Sequence, residues 1–461
     1  MTPSITIKSS FLTLSLLLYV FGPSKAHNSL HIDNSIYQFD DNDSISDIER
    51  LTYEDPNDET SFHDSLDEYP DDQLTIDYFD LLGLPVASLY IDEDALIKYG
   101  MSIVLLFLLL SPSSNAASLK ACNFDGIYQL GDSISDTGNL IRENPNTPFS
   151  HLPYGQTFFN STPTGRCSNG LLIIDYFALD AKLPLVNPYL NKDALTRHGV
   201  NFAVAGSTAL SSQLLSEKKI SSPLTNSSLD IQLDWMFSHF NSICFDQKDC
   251  NEKLMNALFL VGEIGANDYN YALLQGKTIQ EVKEMVPEVV QTVKNAVERV
   301  ISYGATRVVV SGNFPIGCFP IFLTVFQTND TTAYDEFHCL KSLNALTSYH
   351  NDQIQQAIEV LKKENPRTVI VYGDYYNAFL WILRHASTLG FDNGSLQKSC
   401  CGIGGDYNFE LKKSCGSQGV GVCPNADKVI SWDGVQLTQK AYKFIADWLI
   451  LDITPKLNCT L

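Results

Sequence analysis

From about residue 118 onward, short apolar runs that end near Gly, Asn or Asp alternate with longer helical patterns. This alternation restricts the chain more than any other feature. The runs are Ile127–Leu130, Asn201–Ala205, Ala257–Val261, Arg307–Val310 and Thr368–Tyr372. The clearest helical pattern spans 279–301, with Ile279, Val282, Val286, Val289, Val290, Val293, Val297 and Val300 on one face. Thr278 and Glu281 form a capping-box start for it, and Pro287 inside it predicts a kink or a split. Strands alternating with helices imply a mostly parallel sheet covered on both faces, with ligand loops at the strands' C-terminal ends. The expected class is α/β, a three-layer α/β/α fold.

The first hundred residues follow a different rule. Lys8, the apolar run Phe11–Phe21 and Ser24-Lys25-Ala26 have the anatomy of a signal peptide over 1–26, too short to span a bilayer. Residues 27–100 hold 20 Asp+Glu against 2 Lys+Arg, so most of the net charge of −22 sits there and 101–461 carries only −6. A basic nucleic-acid surface and a polybasic membrane patch are thereby disfavoured. Residues 84–100 (LPVASLYIDEDALIKYG) align with 183–199 (LPLVNPYLNKDALTRHG), with seven of 17 positions identical, where chance gives about one. Further echoes join Ile76-Asp77-Tyr78-Phe79 to Ile174-Asp175-Tyr176-Phe177, and Asp43–Asp47 to Asp132–Asp136. Residues 27–100 therefore read as a decayed partial copy of the opening of the body, too acidic and too incomplete to build a core, and expected to be disordered. Met101, the apolar run Ile103–Leu110 and Ser114-Asn115-Ala116 form a second signal-like segment over 101–117, which leaves 118–461 as the folded domain. Met1 and Met101 are both available as starts.

Secretion agrees with the eleven cysteines and with six Asn-x-Ser/Thr sequons at Asn42, Asn160, Asn226, Asn329, Asn393 and Asn458. Cys244 with Cys250, and the group Cys400, Cys401, Cys415 and Cys423, read as disulfides rather than metal ligands. The odd count leaves at least one thiol unpaired in a monomer. No Cys-x-x-Cys pair occurs and the histidines are scattered, so no metal is expected.

The chemistry is concentrated in four ordered blocks. Gly131-Asp132-Ser133-Ile134-Ser135-Asp136 places a serine at the end of the first strand, where a following helix would aim backbone N–H groups at an anion. Gly199–Gly206, Gly265-Ala266-Asn267-Asp268 and Trp432-Asp433-Gly434-Val435-Gln436-Leu437-Thr438 complete the set. A Gly-Asp-Ser triplet alone is more often a turn, but four blocks in order are specific. Together they resemble the plant GDSL-type lipases and esterases of the SGNH hydrolase superfamily, over roughly residues 118–455. The resemblance implies an SGNH/flavodoxin-like three-layer sheet, a small ester or acyl ligand and no cofactor. It implies Ser133 as nucleophile, the Ser133 and Gly206 N–H groups and the Asn267 amide as oxyanion donors, and Asp433 as the carboxylate that orients an imidazole.

That imidazole is absent. The family motif is Asp-x-x-His, and Gln436 stands at its fourth position. Glutamine has no nitrogen that titrates near neutral pH, so it cannot take the Ser133 proton and return it. His151, His198, His239, His338, His350 and His385 fall outside the blocks and read as surface or satisfied polar residues. Three readings follow: a secreted ester hydrolase with severely impaired catalysis, a non-catalytic binder of acyl ligands, or a decayed tandem duplicate. Oligomeric state and the class of ester stay open.

Overall fold

The structure is a computed structural model that describes residues 117–459 together with four short strands in the first hundred residues. The chain divides into two units, Met1–Ser114 and Asn115–Leu461. In the first unit, Thr6–Ser9 pairs in parallel with Thr75–Ile76 and antiparallel with Ala87–Ile91, which pairs antiparallel with Leu30–His31. The apolar runs of both signal-like segments and most of the acidic stretch lie outside the described residues.

The second unit is built on five parallel strands: β1 (Gly126–Leu130), β2 (Gly199–Asn201), β3 (Ala257–Val261), β4 (Arg307–Ser311) and β5 (Val369–Gly373). Their order is β2-β1-β3-β4-β5, with Ile127 beside both Gly199 and Leu258. This is the flavodoxin-like order, in which the direction of winding reverses between β1 and β3. A crevice therefore opens outside the carboxyl ends of those two strands. The strands read as continuous apolar runs because both faces are covered, and β1 and β3 are buried along their whole length.

Two groups of helices supply the cover. One comprises α2 (Leu229–Ile243), α4 (Ile279–Tyr303) and α5 (Lys341–Glu364); the other comprises α1 (Ile173–Asp180), α6 (Tyr375–Arg384) and α7 (Gln439–Ile453). Between α2 and α4, α3 (Ala266–Leu274) follows β3 directly. The α4 face expected from the valine spacing is the buried one, from Val282 to Val300. Each such side chain contributes roughly 1.5–3 kcal/mol on burial. The capping box is also present, with the Thr278 N–H donating to Glu281 Oε2 (2.8 Å) and the Glu281 N–H to Thr278 Oγ1 (3.2 Å). Pro287 does not split the helix. It lies on the exposed side, as does Lys283, whose carbonyl loses its donor.

The run 201–205 differs from expectation, because β2 ends at Asn201. Its side-chain Oδ1 accepts the Ala203 N–H (2.9 Å) and its Nδ2 donates to the Ser135 carbonyl (2.5 Å), which turns the chain out of the ladder. Residues 202–205 continue as buried loop.

Five disulfides brace this unit: Cys122–Cys459, Cys244–Cys250, Cys318–Cys339, Cys400–Cys423 and Cys401–Cys415. Cys167 is the buried thiol left over. Among the described residues no helix is long and apolar enough to cross a membrane.

Candidate active site

The loop after β1 is fastened before it reaches the serine. Gln232 of α2 accepts the Gly131 N–H with Oε1 (2.9 Å) and donates Nε2 to the Gly131 carbonyl (2.8 Å). Asp132 Oδ1 then accepts the Ile134 N–H (3.0 Å), an Asx turn that presents Ser133. The expected helix does not follow. A turn covers 133–135, and the next helical turn, Leu140–Glu143, has its first N–H groups taken up by Asp136, which accepts from Gly138, Asn139 and Leu140 as well as from Ala205. Those amides hold the loops together and are not offered to a ligand.

Asn267, in the first turn of α3, draws three of the blocks together. Its Nδ2 donates to the Ser207 carbonyl (2.9 Å) and to Asp132 Oδ2 (3.3 Å). Next to it, Asp268 accepts the N–H groups of Ala209 and Leu210 (2.8 and 2.9 Å) and so pins the loop that carries Gly206. Gly206 has φ +86°, and a Cβ there would lie 2.7 Å from Leu224 Cβ, so only glycine fits. Among the described residues, the N–H groups of Ser133 and Gly206 donate to no protein acceptor.

The fourth block arrives from the far end of the chain. Trp432 is fully buried beside Tyr154 and the paired cysteines 400, 401 and 415, and its carbonyl accepts from Cys401 N–H (2.6 Å). Two disulfides thus stiffen the base of this loop. Asp433 Oδ1 accepts the N–H groups of Val435 (3.0 Å) and Gln436 (2.7 Å), while Oδ2 accepts the Tyr154 hydroxyl (2.7 Å). Burial pushes the Asp433 carboxyl above its usual range, opposed by these donors. Gln436 then reaches Ser133, with Nε2 donating to Oγ at 3.0 Å. Its Oε1 accepts from Tyr442 (3.4 Å).

Ser133 and Asn267 line one cavity of about 40 Å³, together with Asp132, Glu263, Asn270, Asn313, Phe314, Tyr375 and Val435. Gly206 does not line it and meets the site through the Ser207–Asn267 bond. No histidine lines it either. Two of the histidines depart from the expected surface or satisfied setting. His350 is fully buried, with Nδ1 at 2.7 Å from the Tyr269 hydroxyl and Nε2 unpartnered. His239 is buried with its Nε2 unpartnered as well. Burial lowers the first to about 3 and the second to about 4, so both rings are neutral at physiological pH.

Several residues of the site had no signal in the sequence. Gln232 and Tyr154 act as distant fasteners with no local signature, while Asp136 and Asp268 stand inside the first and third blocks and only their fastening role had no signal. Glu263 is a further residue of the site without a sequence signal. It is buried, it lines the cavity, and burial pushes its carboxyl up to about 7.

The second unit is similar in sequence to known proteins over most of its length. The GDSL-like Lipase/Acylhydrolase family matches residues 127–449. Acetylajmalan esterase 1 of Rauvolfia serpentina is 47% identical over 342 residues, covering 74% of this chain and 89% of the relative. Acetylajmalan esterase of the same plant is 48% identical over 345 residues, 74% of this chain and 88% of the relative. A GDSL esterase/lipase of Arabidopsis thaliana is 44% identical over 365 residues, 78% and 91% respectively.

Proposed function

The chain belongs to the GDSL-like lipase/acylhydrolase family, and on that footing we propose that it is a secreted ester hydrolase whose turnover is severely curtailed because Gln436 occupies the place of the family's histidine. Ser133 attacks the ester carbonyl. The oxyanion is met by the free N–H of Ser133 and by the Asn267 amide, whose long 3.3 Å bond to Asp132 is the one to exchange, while the Gly206 N–H, the family's third donor, lies off the cavity wall. Asp433 is already held by Tyr154 and by its own loop, ready to orient a ring that is not there.

One observation carries the reading. Gln436 Nε2 donates to Ser133 Oγ at 3.0 Å, where an esterase needs an acceptor for the serine proton. A donor at that point positions the hydroxyl and does not deprotonate it. In one measured serine hydrolase, loss of the histidine alone costs on the order of 10⁶ in turnover. The names of the relatives make a short acetyl ester the first substrate to assay.

The test is Gln436→His, assayed on p-nitrophenyl acetate beside Ser133→Ala. Glutamine and histidine have similar reach, so the ring fits without opening a void. Restoring a general base should raise the Ser133-dependent rate by about 10² to 10⁴. Substantial turnover before the change and little gain after it would show that the histidine was not the missing part. A folded Gln436→His protein as silent as Ser133→Ala would defeat the hydrolase reading and favour a decayed duplicate. The acyl-binding reading predicts ligand retention with either residue at 436.

A further inference from the structure

We propose that Glu263 is the proton acceptor of the cavity, taking the Ser133 proton through a water molecule and so sustaining the slow hydrolysis that Gln436 cannot support. This rests on the hydrolase reading above.

The placement of Glu263 is unusual for a carboxylate. It sits between Gly262 and Gly265 in the turn from β3 to α3, with φ +54°. A non-glycine residue in that region costs of order 1 kcal/mol or more and persists only when its surroundings over-determine it. What the conformation achieves is to put the side chain on the wall that Ser133 and Asn267 also line. Glu263 is 6% exposed, and its Oε2 is buried with no hydrogen-bond partner. Asn270 Oδ1, on the same wall, is a second buried acceptor without a donor. Two orphan acceptors and a hydroxyl around about 40 Å³ suit a bridging water, which needs roughly 10–15 Å³ and two to four polar partners.

The electrostatics fit the same role. The groups facing Glu263 are Asp132 and Ser135 from the turn after β1, Tyr375 from α6 and Tyr442 from α7, and the Tyr375 and Ser135 hydroxyls oppose the rise that burial causes. No lysine, arginine or histidine lines the cavity. Burial pushes Glu263 up to about 7, which places it near the optimum for a general base at neutral pH. Asp132 is also raised, chiefly by burial, but its oxygens are engaged by the Ile134 N–H and Asn267.

The steps balance. As Ser133 Oγ bonds to the carbonyl carbon, its proton passes to the water and a water proton passes to Glu263 Oε2, while the carbonyl π pair moves to oxygen. When the intermediate collapses, the C–O bond to the alcohol breaks and the alkoxide recovers the proton from Glu263 by the same route. A second water then attacks the acyl carbon and gives its proton to Glu263; the acyl C–Oγ bond breaks, the carboxylic acid leaves, and Ser133 Oγ takes the proton back from Glu263.

The experiment compares wild type, Glu263→Gln and Glu263→Asp, each with Gln436 and with Gln436→His, on p-nitrophenyl acetate from pH 5 to 9, after subtraction of the Ser133→Ala rate. In the Gln436 series, the rate should rise about tenfold per pH unit and level off near pH 7. Glu263→Gln should remove that step and lower the plateau by about 10- to 100-fold. Glu263→Asp should keep the step at a reduced rate. With Gln436→His, where the ring accepts the proton, Glu263→Gln should cost less than about threefold. Equal losses in both series would make Glu263 a structural residue and overturn the proposal, as would an unchanged profile in Glu263→Gln. A step that survives Glu263→Gln but disappears in Asp132→Asn would assign it to Asp132 instead. Absence of any Ser133-dependent rate in wild type refutes the proton-acceptor role alone if Gln436→His is active. If Gln436→His is silent too, the hydrolase reading fails first.

Discussion

Glu263→Gln should make the protein more resistant to unfolding at alkaline pH and nearly neutral in effect at acid pH. The carboxyl titrates near 4.5 when exposed and near 7 when buried in the fold. Its folded value is raised, so the folded state holds the proton more tightly than the unfolded chain. The stability associated with that proton is complete below pH 4.5 and is lost as pH rises through 7. At about 1.4 kcal/mol per pKa unit, the whole difference is worth about 3 kcal/mol, of which about 2.5 kcal/mol is expressed between pH 5 and pH 8. Glutamine keeps the shape and carries no charge, so that slope vanishes. Urea unfolding of wild type and Glu263→Gln at pH 5, 6, 7 and 8, with disulfides intact, gives the comparison. Asp268, also raised to about 7, contributes equally to both proteins and cancels. The variant should gain about 2–3 kcal/mol on wild type from pH 5 to pH 8. A difference that stays flat across that range would mean that Glu263 is not held in a desolvated site, and the base proposed above would lose its physical footing.

His350 gives the opposite sign. Its folded value near 3 lies below the ordinary 6.5, so the stability tied to its neutral form is present above pH 6.5 and lost as pH falls toward 3; an imidazole NMR titration should show no protonation at pH 5. Replacing Cys122 and Cys459 with serine opens a closure of 337 residues, for which chain entropy predicts a loss of about 6 kcal/mol, read as a lower urea midpoint. Asn160, Asn226, Asn329, Asn393 and Asn458 are all exposed, so secreted protein that starts at Met101 should lose up to five glycans to an N-glycosidase. Peptides from 27–100 in that material would show that Met1 is the start used.

The strands of the body were legible because burial on both faces turns them into plain apolar runs, which no competing pattern imitates. Only β2 was misplaced, since the expected run 201–205 shares just Asn201 with the strand Gly199–Asn201. There a polar side chain, Asn201, competes for backbone groups, and apolarity continues past the point where the ladder stops. Ser133 and Gln436, 303 residues apart yet hydrogen-bonded, were legible as parts of an ordered set of blocks. The rest of the site was not, for a common reason. Tyr154 meets Asp433 across 279 residues, and Gln232 meets Gly131 across 101. A single tyrosine or glutamine on a helix or loop has no spacing to betray such a partner. Glu263 is the sharper case, since a glutamate between glycines reads as an exposed loop residue, and only its positive φ and its burial reveal otherwise. Two of the disulfides were equally hidden, as Cys318–Cys339 and Cys122–Cys459 have nothing in their spacing to join them, whereas Cys244–Cys250 and the group of four at 400–423 were legible.

The bond between Cys122 and Cys459, with Cα atoms 4.3 Å apart, makes the hydrolase unit a covalent ring in all but its peptide order. A single nick by a protease anywhere between these residues does not yield two molecules, and fragments separate only when the ring is also reduced. For the same reason the linear order of the four blocks is a matter of where the ring happens to be open. A permuted gene that joins the two ends by peptide and begins at an exposed turn, such as the one around Gly276, would present the same serine, amides and glutamine in the same places. Its blocks would then be read in a sequence that no ordered-motif search would recognise.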